Sequence, residues 1–293
     1  MTLSELWSYD FMRYALISAC LLGPACAMLG VFVTLRGMAF FSDALAHSAV
    51  TGVACGFLIQ EKLGLQLDPM LTVLIFALLQ AALMAWLFHR SSLAPDTVIA
   101  FSFTGSVALG VVIIAMLGKY RLLDGILFGS IYANSPTDIL RQAILVCIIG
   151  AVLLSQMRSY TLSTLNPELA RARRLHTVWL NYVFALLIAA TVVTALKMLG
   201  ALLLSALIVI PPAAAKLVSG SFRSLLVISL LGGLIAPLLG VVASAQLNVP
   251  TGPSIVLMNV VFLLACALWK SRRRRLAAGA APTSSPMPAT AKS

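Results

Sequence analysis

The sequence predicts an all-α, polytopic membrane helix bundle of eight or nine spans, and three observations carry that prediction. Of 293 residues, 61% are hydrophobic and only 10% are charged, against about 25% charged in a typical soluble domain. The apolar residues gather in runs near the ~20 residues that a helix needs to cross a bilayer. Windows such as Leu71–Leu87 are apolar on nearly every face, so the alternation of a membrane β-barrel is absent. A net charge of +11 would suit nucleic acid, but four arginines, Arg272–Arg275, follow closely on an apolar span. That is the mark of a cytosolic membrane flank rather than a groove-binding patch.

Nine apolar segments follow one another: Phe11–Thr34, Phe41–Ile59, Pro69–Phe88, Pro95–Leu117, Ile139–Gln156, Val178–Leu196, Gly200–Val218, Ser224–Gln246 and Pro253–Trp269. The first holds Pro24, the seventh Pro211 and Pro212, and the eighth Pro237, each expected to break or kink its helix. In the second, Gly52 and Gly56 stand at a spacing that permits close helix contact. The fourth opens on Pro95-Asp96, a proline and an acid suited to a helix N-terminus. The break between Leu196 and Gly200 is weak and leaves eight spans open. His89 and His176 adjoin basic residues at segment edges and are expected at the interface. Five scattered cysteines with no CxxC read as small buried hydrophobes. Met1–Asp10 is acidic with no basic n-region, so a cleavable signal peptide is not expected.

Alternating nine spans backwards from a cytosolic C-terminus puts 14 basic residues inside and 6 outside. This bias predicts the N-terminus outside and the C-terminus in the cytosol. The longest inside loop is Met157–Thr177. Its centre, Asn166-Pro167-Glu168-Leu169-Ala170-Arg171, reads as a short helix start, with proline at the first helical position and an acid in the first turn. A solvated loop with basic anchors and a docking element for a cytosolic partner are both open on these residues. Outside, Lys119–Pro136 contains Leu127–Tyr132, apolar but too short to span, which suits a re-entrant or interfacial piece. Residues 1–275 form one membrane domain, and 276–293, rich in Ala, Pro, Ser and Thr, are expected to be disordered.

One stretch, Gly37–Gly56 (GMAFFSDALAHSAVTGVACG), carries chemistry. Asp43 and His47 stand four apart, so on a helix they share a face with Cβ atoms about 6 Å apart. An ionised Asp inside a membrane span costs roughly 2.5–3.5 kcal/mol on insertion scales, so such residues usually face a polar cavity and have a function. Carboxylate and imidazole are also ligands that zinc, manganese and iron(II) accept. For Asp43 a second reading stands beside this: Ser42 or Asp43 caps the helix, where the dipole favours a carboxylate. His47 lies a turn further in, beyond the reach of capping. The chain has no GxxxxGK[ST] and no HExxH, so nucleotide hydrolysis and zinc proteolysis are not expected of it. Ser42 and Ser48 share His47's own segment, which does not suit a serine protease needing the two from different helices.

The residues FFSDALAHSAVTGVACG resemble the signature of the permease subunits of zinc- and manganese-type ABC importers, close to FxSDALAHSALPGVAxG. Further stretches agree in the same order: Asp96-Thr97, Gly105–Gly110 (GSVALG), Leu127–Ile131 (LFGSI), Asn166–Ala170 (NPELA), Lys197–Leu203 (KMLGALL), Ile210–Ala215 (IPPAAA) and Thr251–Val256 (TGPSIV). The resemblance covers the chain to about Lys270. Asn166 replaces a usual Asp, Arg173-Arg174 stands where Leu-Gly is common, Thr51 replaces a frequent Pro, and Pro212, Ala214 and Lys216 replace a common Ala, Thr and Arg. The resemblance implies a homodimeric permease in a bacterial inner membrane, paired with two cytosolic ATPase subunits and an extracytoplasmic metal-binding protein. It implies that 158–177 is the ATPase-coupling segment, with Asn166, Pro167, Glu168, Ala170 and Arg171 at its contact. It also implies that Asp43 and His47 line the path of a zinc, manganese or iron ion, with no permanently bound cofactor. Two rivals remain: a large cargo such as a siderophore, haem or cobalamin, which needs no such ligand pair, and a secondary transporter using Asp43 for protons.

Overall fold

Prolines, acids and hydroxyls punctuate the apolar runs, and the helices begin where they stand. The computed structural model describes residues 10–65, 68–118, 135–199 and 201–279. They form α1 (Asp10–Leu35), α2 (Phe41–Leu63), α3 (Pro69–Arg90), α4 (Pro95–Leu117), α5 (Pro136–Ser155), α6 (Met157–Leu165), α7 (Pro167–Ala172), α8 (Thr177–Leu199), α9 (Ala201–Val218), α10 (Phe222–Leu247) and α11 (Thr251–Gly279), with no strand among the described residues. Asp68 starts α3 by accepting from the Met70 amide at 2.9 Å, with Pro69 at the first helical position. Ser135 and Asp138 close a reciprocal capping box at the head of α5, which satisfies two amides that would otherwise have no partner. The Leu127–Tyr132 piece lies outside the described residues. So does 280–293, whereas α11 continues through Gly279, because Leu276, Ala277 and Ala278 are strong helix formers.

Among the described residues eight helices are long and apolar enough to cross a membrane. The shorter apolar helix α9 behaves as a ninth traverse. Val193 and Thr194, near the end of α8, line a cavity with Asp68 and Asp138, which start α3 and α5. Ala215, near the end of α9, packs instead with Val31 at the end of α1 and Leu225 at the start of α10. α9 therefore runs back from one end of the bundle to the other.

α1 is the most enclosed span, packed along α9 and α10 on one side and against α5 on another, while α2, α3 and α4 pack together and α8 lies against α3. Proline and glycine set the tightest contacts. Pro212 has no N–H, so the Ile208 carbonyl loses its helical donor. That carbonyl faces Gly30 of α1, where a Cβ would overlap it. Pro237 frees the Gly233 carbonyl in the same way, and it faces Gly23, two turns before Gly30 on α1. Gly52 and Gly56 likewise bring α2 onto Val73 and Thr72 of α3, as their spacing predicts. Of the five cysteines, all free, Cys26 and Cys266 are buried, but Cys20 and Cys147 lie on exposed faces, where an apolar thiol suits the surroundings of a membrane helix.

Candidate functional site

Asp43 and His47 stand in the first two turns of α2, on a side of the helix that also carries the exposed Phe40. The Asp43 Oδ1 to His47 Nε2 distance is 3.7 Å, with the side chains 29% and 17% exposed respectively. That separation is too long for a hydrogen bond and is near the span between two donors that each sit about 2.0–2.2 Å from one ion. The imidazole is fixed from behind by an edge-on contact with Phe103 of α4, centroids 5.2 Å apart. The N-cap residue of α2 is Phe40, and no side chain makes a capping bond there. Ser42 Oγ is buried without a partner. Neither Ser42 nor Asp43 therefore makes a side-chain capping bond, while Asp43 stays in the first turn of α2, where the helix dipole favours a carboxylate. Asp96 also occupies a first turn, in α4, where the N-cap Ala94 again makes no side-chain bond; its carboxylate acts through the helix dipole alone.

One turn beyond His47, Thr51 continues the same four-residue spacing. It is buried and donates to the Ser106 carbonyl of α4. Gln80 of α3 reaches into the same region, its Nε2 donating to the Ser102 carbonyl at 3.1 Å and to Ser106 Oγ at 3.3 Å. Gln80 Oε1 and Ser102 Oγ lie buried without partners. This polar tract among α2, α3 and α4 escapes sequence reading because Gln and Ser are unremarkable in apolar runs. The 43-47-51 spacing is the signal that points to it. Among the described residues no group of three or more His, Cys, Asp or Glu is placed to hold a metal. The pair offers one carboxylate and one imidazole.

The other candidate residues lie at the same end of the bundle as Asp43. Asn166 caps α7, its Oδ1 accepting from the Leu169 amide at 3.0 Å. Pro167, Glu168 and Arg171 are exposed, while Ala170 is buried. The helix stops in a Schellman motif. The Leu175 amide donates to the Ala170 carbonyl at 3.1 Å and the Arg174 amide to that of Arg171 at 2.9 Å. Arg174 takes the left-handed position, φ 53°, which is the place of the glycine common in the resembling sequences.

Arg36, counted from sequence as a flank charge, is the structural hub of this end. Its Nε donates to Thr164 Oγ1 at 3.0 Å and its Nη1 to Asn181 Oδ1 at 2.8 Å, with Nη2 3.4 Å from Ser163 Oγ. The guanidinium lies 4.7 Å from the Phe184 ring centroid. It joins α1 to α6 and α8, with no carboxylate opposite it among the described residues. Burial draws its pKa down to about 10, with the nearby Tyr160 phenol working the other way, so it stays cationic at neutral pH. Asn181 Nδ2 lies 3.2 Å from His89 Nε2.

Together these features define a multi-pass membrane protein with a polar pair partway into one end of its bundle. Residues 8–270 match the ABC 3 transport family, and the chain belongs to that family. It is 30% identical over 266 residues to the high-affinity zinc uptake system membrane protein ZnuB of Haemophilus influenzae, covering 90% of this chain and 99% of that one. It is 30% identical over 259 residues to the manganese import system permease protein ScaB of Streptococcus parasanguinis, covering 88% and 90%. Among solved structures it is similar to PsaBC from Streptococcus pneumoniae in complex with Fab, with TM-score 0.76, 28% identity, and 90% and 95% coverage.

Proposed function

We propose that the protein is the membrane-spanning permease subunit of an ATP-driven importer of a divalent transition metal ion: zinc, manganese or iron(II). The observation that carries this is the Asp43–His47 pair, part-open on one helix face, in a chain of the ABC 3 transport family. The names of its relatives, which mention zinc and manganese import, support the cargo class. Carboxylate oxygen and imidazole nitrogen suit all three ions. A symmetric dimer brings two such pairs, enough for four-coordination without a tight cage. Cargo of siderophore size has no use for an N/O pair of this reach.

The chain carries no phosphate-binding loop of its own, so ATP hydrolysis belongs to separate cytosolic subunits, and an extracytoplasmic protein delivers the ion. α6 and α7 form the coupling segment, offering Glu168 and Arg171 to the ATPase while the buried Ala170 anchors them. The excess of basic residues at this end supports its placement in the cytosol of a bacterial cell, with the N-terminus outside.

Purifying the chain with its co-expressed ATPase and delivering zinc, manganese, iron(II), a ferric siderophore and cobalamin through the matching binding protein tests the reading. Metal-ion uptake driven by ATP is expected. Uptake of only the large chelates, or uptake with no ATPase in the complex, would refute it.

A further inference from the structure

The cationic end of the bundle holds a cavity whose lining includes neither Asp43 nor His47. Its volume is about 540 Å³, and it lies between the ends of α1 and α3, the starts of α2, α4 and α8, and the α6–α7 segment. Among the described residues its ionisable lining is Arg36, His89 and Arg171, with no Asp or Glu. Ser163, Thr164 and Asn181 add hydrogen-bonding groups. Arg36 spends one N–H on each of these three, and a guanidinium carries five. Two donors and an uncompensated positive charge are left over. A cation in this state favours an anion that can accept two hydrogen bonds, and phosphate matches the fork of a guanidinium.

The depth of the cavity says where that phosphate comes from. Arg36 follows the last residue of one span, His89 is in the last turn of a second, Pro95 opens a third and Thr177 a fourth. All four positions fall where helices leave the hydrocarbon, which is the level of lipid headgroups. A second, apolar groove adjoins the cavity and shares Thr177 and Val178 with it. It runs along the outer side of α8 past Trp179, Tyr182 and Leu186. Trp179 is 68% exposed, as interfacial tryptophans are. Tyr182 stacks on His89, so the two hollows share a wall. Basic pockets between membrane helices on the cytosolic side bind anionic headgroups, and here an acyl-chain groove leads away from the pocket.

We propose that this end of the protein binds one anionic phospholipid, with the headgroup phosphate held in the cavity by Arg36, Arg171 and the neighbouring hydroxyls, and the acyl chains laid along α8. Because Arg36 also holds α6 to α1, the lipid stiffens the joint between the short helices and the spans. The site is independent of which metal the protein carries.

Native mass spectrometry of the whole permease–ATPase complex, loaded with phosphatidylglycerol or phosphatidylcholine, tests this. Phosphatidylglycerol should be retained preferentially. Arg171→Gln, on the exposed rim, should lower its retention roughly fivefold in complexes that keep their ATPase, since each basic residue near the headgroups contributes about 1 kcal/mol. Arg36→Gln should lower it further. Arg223→Gln, an exposed arginine at the same end but outside the cavity, should leave it unchanged. Should Arg36→Gln not assemble, the Arg171 and Arg223 variants decide alone. Equal retention of the two lipids, or an equal loss in Arg223→Gln, overturns the proposal. Displacement of the lipid by millimolar inorganic phosphate makes the occupant a free anion, and also overturns it. Unchanged lipid retention with loss of the ATPase from Arg171→Gln would assign the cavity to an acidic side chain of the partner and overturn it too.

Discussion

Removing the cap of α7 tests how the short helix is held and what it does. Asn166→Ala deletes the acceptor of the 3.0 Å bond from the Leu169 amide. A lost Asn cap costs about 1 kcal/mol, within a range of roughly 0.5–2. α7 has six residues, far below the ~12–15 that make an isolated helix even marginal in water. The cap and the buried Ala170 therefore decide whether it forms. A loss of about 1 kcal/mol multiplies the open population about fivefold. Hydrogen–deuterium exchange of the peptide covering Glu168–Ala172, in the assembled complex, should speed up by that factor. Asn166→Asp should restore protection, since a carboxylate accepts the same bond and adds roughly 0.3–1 kcal/mol at a helix N-terminus. If Asn166→Ala leaves exchange unchanged, the cap does not hold the helix. If exchange rises while ATP hydrolysis stays fully coupled to uptake, α7 is not the coupling element.

Four further outcomes are expected. Gly30→Ala puts a methyl onto the Ile208 carbonyl and should cost about 1–3 kcal/mol as overpacking, read as a lower midpoint in thermal unfolding of the purified protein. Gly105→Ala meets nothing within 4 Å and should be neutral or slightly stabilising; equal losses in the two would contradict the packing account. Arg174→Gly relieves a left-handed residue at φ 53° and should protect α7 from exchange by about 1 kcal/mol; faster exchange would show that the side chain, not the backbone, matters there. In a cysteine-free background, an impermeant thiol reagent added outside should label a cysteine at Lys62 and not one at Arg173, and the reverse pattern would invert the topology.

The spans were legible in the sequence because hydropathy and length alone decide them. The fourth segment is found with the same bounds, Pro95–Leu117, since proline opens it and a glycine closes it. The Asp43–His47 face was legible for a similar reason, as local helix geometry needs no tertiary information. Whether Asp43 made a capping bond could not be read, because the helix starts one residue after Phe40, which has no capping side chain to mark the position. Arg36 was legible as a flank charge but not as a hub. Its partners Thr164 and Asn181 lie 128 and 145 residues away, and no local pattern foretells such contacts. The pairing of Pro212 with Gly30 and of Pro237 with Gly23 was hidden likewise, and the helices run on through both prolines.

The central claim is that a metal ion passes between Asp43 and His47, and Asp43→Asn tests it most directly. The amide keeps the shape of the side chain but loses the charge that attracts a cation. Uptake of radioactive zinc or manganese into proteoliposomes containing the full importer is the measurement, with assembly of permease and ATPase verified in the same sample. The account predicts that uptake by Asp43→Asn, and by His47→Ala beside it, falls to near background while the complex stays intact. Uptake by Asp43→Asn at the wild-type rate would contradict it and place the metal path elsewhere in the bundle.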